Sequence, residues 1–138
     1  MNAVDVLIKY WGHTSFRLKQ EEIINSVIAK KDTLALLPTG GGKSICYQVP
    51  ALLNEGICIV ISPLISLMND QVRFLKSKGI KSVAITSNMH FSEIDTALTN
   101  CIYGGIKFLY LSPEKLQNEL IQTRIKEMNV NLITVDEA

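Results

Sequence analysis

The apolar and polar positions of the chain alternate between short, densely apolar runs and longer stretches in which apolar residues recur every three or four positions. Val4, Leu7 and Ile8 have helical spacing within residues 3–10, predicting a short amphipathic helix that Trp11-Gly12 ends. After a polar turn, residues 16–29 predict a second helix. Ile23, Ile24, Val27 and Ile28 make its buried stripe, and Lys19, Gln20, Glu21 and Glu22 crowd its first turn. Lys30-Lys31-Asp32 is a break before TLALL at 33–37, a strand-length apolar run that passes into glycines and then into a segment able to be helical from Lys43. Ile57–Ile61 (ICIVI) is uninterruptedly apolar, the mark of a parallel strand covered on both faces. Ser62-Pro63 ends it, and 64–78 returns as a helix through Leu67, Met68, Val72 and Leu75, stopped by Gly79.

The same alternation continues to the last residue. Ser82–Ile85 predicts a strand, and Ser92 predicts the cap of a helix reaching about Cys101. Gly104-Gly105 turns the chain into a strand over 107–111, and Ser112-Pro113 starts helix as far as about Met128, with a break near Asn118. A strand over 132–135 delivers Asp136-Glu137-Ala138. Strands and helices in strict alternation imply an α/β fold with a parallel sheet flanked by helices, whose ligands bind outside the carboxyl ends of the strands. No repeat, low-complexity stretch or linker interrupts residues 1–138, which read as one domain.

The glycine-rich turn changes the picture from fold to chemistry. Pro38-Thr39-Gly40-Gly41-Gly42-Lys43-Ser44, between a strand and a helix, matches a phosphate-binding loop of nucleotide hydrolases except that Leu37 stands where the strict pattern has its first glycine. Thr39, Gly40, Gly41 and Gly42 would let the backbone approach a triphosphate, because a Cβ there would hold the N–H groups away. Lys43 would pair with the outer phosphates and Ser44 would give its hydroxyl to Mg²⁺. An apolar strand ending in two carboxylates is the matching second half: Asp136 would hold the Mg²⁺ through water, and Glu137 would polarise the attacking water. With no Asn-Lys-x-Asp segment to read guanine, the nucleotide is expected to be ATP. His13, Arg17 and Gln20 are the candidates for the adenine, Gln20 because its amide both donates and accepts.

Bulk properties mainly exclude. The 138 residues are 47% apolar and 20% charged, ordinary for a soluble globular protein. A formal net charge of +1 neither supports nor excludes a polyanionic partner. Cys46, Cys58 and Cys101 have no metal-clip or disulfide spacing and read as reduced core residues. No run approaches membrane-spanning length and the amino terminus lacks a signal-peptide pattern, so the expected location is cytoplasmic, nucleoid-associated if the source is bacterial.

Taken together, these blocks resemble the first part of a RecQ-family DNA helicase of superfamily 2. Trp11 to Ile24 is similar to the family's adenine-recognising motif, with His13 where Tyr is commoner and Leu18-Lys19 in place of a Pro-Gly pair. Pro38 to Ser44, with Cys46-Tyr47-Gln48 and Pro50-Ala51 after it, resembles the phosphate loop, and the superfamily commonly replaces the glycine that Leu37 replaces. Ser62 to Val72 (SPLISLMNDQV) and Tyr110 to Leu116 (YLSPEKL) resemble two blocks that hold a single strand, and Asp136-Glu137-Ala138 begins an Asp-Glu-Ala-His box.

The resemblance implies a RecA-like first motor domain, incomplete here, in an enzyme that couples ATP hydrolysis to 3′-to-5′ unwinding of DNA in repair and recombination. It implies DNA as partner, with Ser62, Pro63, Leu64, Ser112 and Pro113 at helix N-termini that would offer N–H groups to phosphates. Those Ser-Pro pairs have an equally good structural reading, as strand-ending turns with Pro at the first helical position. The second motor domain, which supplies an arginine finger in this family, is absent from residues 1–138, so the fragment alone is expected to bind Mg-ATP weakly and not to unwind. Two other readings stay open: a superfamily 2 ATPase that remodels RNA or chromatin, and a nucleotide- or partner-binding module without activity.

Overall fold

A computed structural model describes residues 1–17, 19–31, 33 and 43–136. They divide into two compact units, residues 1–55 and 56–138. The strand expected at 33–37 lies outside the described residues apart from Thr33, and so do Thr39 to Gly42 and Glu137.

Among its described residues the first unit has three helices. Helix α1 (Ala3–Trp11) is closed at its start by a reciprocal cap, in which Asn2 Oδ1 accepts from the Asp5 N–H and the Asp5 carboxylate accepts from the Asn2 N–H, both at 2.9 Å. Gly12 ends it in the left-handed conformation (φ 74) and donates to the carbonyls of Leu7 and Ile8. Helices α2 (Gln20–Ile28) and α3 (Lys43–Leu53) pack together, and Val6, Ile24 and Val49 are the buried centre, with Trp11, Phe16 and Leu52 around them. The second helix was expected from residue 16; it begins at Gln20. The cause is local: Gln20 Oε1 turns back to accept the Arg17 N–H at 2.7 Å, so residues just before it form a turn instead of a helical one.

The second unit holds a four-stranded parallel sheet, β1 (Ile57–Ile61), β2 (Ser82–Ile85), β3 (Phe108–Leu111) and β4 (Val130–Val135), in the order β2-β3-β1-β4. Helices α4 (Ile65–Ser77), α5 (Phe91–Tyr103), α6 (Pro113–Leu116) and α7 (Glu119–Lys126) alternate with the strands. All of β1 and β3 is buried, as continuous apolar runs in a doubly covered sheet require. Ile57, Ile59 and Ile61 pack with Leu98, Leu109, Leu111 and Ile121 into one core cluster. Helix α4 lays Met68, Val72 and Leu75 inward and packs on β2 and β3. An α/β fold with a parallel sheet flanked by helices is therefore what forms.

Several boundaries differ from expectation. Helix α5 is preceded by His90 as its cap position, not Ser92: the His90 carbonyl accepts from the N–H of Glu93 at 3.0 Å, the Glu93 carboxylate accepts in turn from the His90 N–H at 3.4 Å, and the helix runs on to Tyr103. Helix α4 begins at Ile65 because Leu64 is extended (φ −103, ψ 101), so Pro63 is not at its first position, whereas Pro113 does open α6. The break near Asn118 is present, and Asn118 Oδ1 caps α7 by accepting from the Ile121 N–H at 3.2 Å. Strand β4 starts at Val130, two positions before the expected 132, and leaves Ile133 and Val135 60% and 59% exposed.

The three cysteines are buried thiols, as expected of core residues. Burial pushes the Cys58 thiol up to about 12 against weaker pulls from the Thr134 hydroxyl and Lys107, and burial pushes Cys101 up to about 12 as well.

Candidate functional site

Three of the singled-out motifs meet at the carboxyl edge of the sheet. The chain leaves β1 at Ser62, whose N–H donates to the Leu111 carbonyl at the end of β3, 2.9 Å away. It leaves β4 at Asp136, whose N–H donates to the Ile61 carbonyl at 2.8 Å. Two backbone rungs thus set Ser112, Ser62 and Asp136 at the ends of three neighbouring strands, where open parallel sheets bind ligands. The apolar strands dictate this placement, since parallel register carries all three chain ends to one side.

The two helix starts at this edge are not equivalent. Ser62 is 2% exposed, and its Oγ accepts the Leu64 N–H at 3.3 Å, which leaves the turn short and rigid. Helix α4, thirteen residues long, then begins with first-turn N–H groups that have no partner within the helix, and Leu64 and Ile65 beside it are exposed. At the other turn the Ser112 Oγ accepts from the Lys115 N–H at 3.4 Å, Pro113 contributes no donor, and α6 has four residues. The α4 start is the stronger place for an anion.

In the first unit, Lys43 and Ser44 are the opening residues of the eleven-residue α3, both half-buried. Gln20 is 3% exposed and tied through its oxygen to the Arg17 backbone, so Arg17 and Gln20 are brought together. His13 is exposed. The backbone use of Gln20 was hidden from sequence reasoning, although the three-residue interval to Arg17 is the interval of a turn-closing side chain. Thr39, Gly40, Gly41, Gly42 and Glu137 lie outside the described residues.

Among the described residues no three His, Cys, Asp or Glu side chains cluster to hold a metal by themselves. A lone carboxylate such as Asp136 and a hydroxyl such as Ser44 suit Mg²⁺, which keeps several waters and takes phosphate oxygens as ligands. No helix among the described residues is long and apolar enough to cross a membrane.

The family model described as DEAD/DEAH box helicase matches residues 17–138. The chain is 43% identical over 136 residues to the ATP-dependent DNA helicase RecQ of Pasteurella multocida, covering 99% of this chain and 22% of that protein. It is 44% identical over 137 residues to the RecQ of Bacillus subtilis, covering 99% and 23%, and 41% identical over 136 residues to that of Synechocystis, covering 97% and 28%. The chain spans about a quarter of the length of these curated relatives.

Proposed function

The chain belongs to the DEAD/DEAH box helicase family, and from that premise we propose that it supplies the ATP-binding part of the first motor domain of a RecQ-type DNA helicase, moving 3′ to 5′ on DNA. ATP is the substrate. The carrying observation is the pair of rungs joining Asp136 to Ile61 and Ser62 to Leu111, which supports a carboxylate for the nucleotide next to a turn for the nucleic-acid backbone.

The roles follow from chemistry. Thr39 to Gly42 wrap the phosphates with backbone N–H groups, and Lys43 pairs with the outer phosphates as a point charge. Ser44 and Asp136 would each offer an oxygen to Mg²⁺, which would supply neutralisation of phosphate charge. Glu137 orients the attacking water and takes its proton. Gln20 reads the adenine edge through its amide, helped by Arg17 and by stacking of His13. Ser62, Pro63 and Leu64 offer the start of α4 to a DNA phosphate, and Ser112 and Pro113 a weaker contact. Such contacts are blind to sequence and need no excess positive charge.

Nucleotide affinity and turnover of the purified protein test the division of labour. Lys43→Ala should weaken ATP binding about 10- to 150-fold, the loss of a charge-assisted contact of about 1.5–3 kcal/mol, with the circular dichroism unchanged. Glu137→Gln should keep the affinity and lose turnover. Equal loss of binding in both variants would show that the assigned roles are wrong.

A further inference from the structure

The amino-terminal side of the same sheet carries a second set of groups that the ATP and DNA roles above leave unused. From residue 71 to residue 92 the chain has Arg73, Lys76, Lys78 and Lys81 and not one carboxylate. Arg73 is drawn to Asp70 (3.4 Å), but Lys76, Lys78 and Lys81 meet no carboxylate among the described residues. Lys81 and Lys107 directly precede β2 and β3, and the Lys107 N–H donates to the Lys81 carbonyl at 2.8 Å, so the sheet itself fixes these two positions as neighbours.

A shallow hollow of about 410 Å³ opens there, lined by Lys76, Lys81, Ser82, Asn100 and Ile106 among others, and no acidic side chain lines it. Lys81 Nζ donates to the Gly104 carbonyl at 3.3 Å, which fastens the ammonium to the loop after α5. Tyr103, the residue before that carbonyl, is 82% exposed, the most exposed of the large apolar side chains among the described residues. Cations over a shallow hollow, an amide among its lining residues, and a bare aromatic ring one residue before the carbonyl that holds Lys81 are the parts of a nucleic-acid platform.

We propose that this end of the sheet binds single-stranded nucleic acid, with Lys76 and Lys81 holding backbone phosphates over the hollow and Tyr103 stacking on a base. Asn100 adds an uncharged donor and acceptor inside the hollow. An acidic peptide would satisfy the lysines but has no use for the ring. A duplex keeps its base faces within its own stack, so the ring selects a single strand. The contact lies at the opposite end of the strands from Ser62, Ser112 and Asp136, and it shares with the proposed helicase function only the class of ligand.

Fluorescence anisotropy of a labelled oligothymidylate with the purified protein, repeated over a range of salt, tests it. Lys76→Glu with Lys81→Glu should weaken binding more than tenfold and lower the salt slope by roughly 1.4, two released contacts at about 0.7 each. Lys76→Gln with Lys81→Gln should lower the slope equally with a smaller loss of affinity, which guards against charge reversal that merely unfolds the protein. Tyr103→Ala should cost about 5- to 150-fold with the slope unchanged, and Tyr103→Phe should restore most of it. ATP affinity should be untouched in all four, so a failed nucleotide assignment and a failed platform give different patterns. Unchanged affinity and slope in the lysine variants would overturn the proposal. So would displacement of the oligonucleotide by polyglutamate together with an indifferent Tyr103→Ala, which would point to an acidic protein partner.

Discussion

Gly56 stands where the chain enters β1, with φ +104 and an ideal Cβ position 2.3 Å from the Asn129 carbonyl oxygen. The entry is fixed because the Ile57 N–H donates to that same carbonyl at 2.8 Å. Gly56→Ala should therefore destabilise the fold by about 3 kcal/mol, strain and collision together, read as a shift in urea midpoint. Nothing near Gly56 in the sequence announces this, because the obstructing oxygen belongs to a distant segment. Gln20 gives a milder test: Gln20→Glu keeps the acceptor for the Arg17 N–H but removes the amide donors, so ATP affinity should drop about five- to tenfold with little change in melting temperature. Cys58 titrates in a different sense. Its folded thiol is raised to about 12 from an ordinary 9.0, so the neutral form is favoured by folding. The stabilisation is complete below pH 9 and is lost as pH rises from 9 towards 12. Urea midpoints should fall over that interval, and iodoacetamide at pH 8 should leave Cys58 unmodified until the protein unfolds.

Among the elements, the two inner apolar runs, β1 and β3, were the most legible, because a strand covered on both faces has no polar positions to confuse its period. Ile57–Ile61 and Ser82–Ile85 form over the expected residues, and β3 begins one residue later than 107. Helix starts were less legible wherever a side chain closed the turn unexpectedly, as Gln20 does before α2 and Glu93 does by reaching back to His90 at the start of α5. Asn118 was readable because a polar residue that breaks a helical pattern is a natural cap, and Asn118→Ala should cost about 1 kcal/mol by removing the bond to the Ile121 N–H. Helices α5 and α7 are joined by Arg124, which donates to Asp95 Oδ1 at 2.7 Å and to the Thr99 hydroxyl at 2.8 Å. No sequence pattern pairs those residues, since the sheet topology alone makes the helices neighbours.

On the scale of the whole molecule, the sheet grades from a fully buried centre to an exposed margin. Hydrogen exchange should be slowest in β1 and β3 and faster in β4, whose Ile133 and Val135 face solvent. Uniform protection across the four strands would contradict that gradient. The chain spans about a quarter of its relatives, and residues 1–138 alone should bind nucleotide weakly and unwind nothing; DNA-stimulated ATP turnover by these residues would refute this. The carboxyl-edge site was legible in part: Asp136 and Ser62 were foreseen as strand-end residues, but their stitching through Ile61 and Leu111 depends on strand order, which no local pattern encodes. That stitching has a mechanical consequence. The two rungs brace the strand tips like a crossbar, so the turns at Asp136, Ser62 and Ser112 share one backbone frame and keep their spacing without help from the helices.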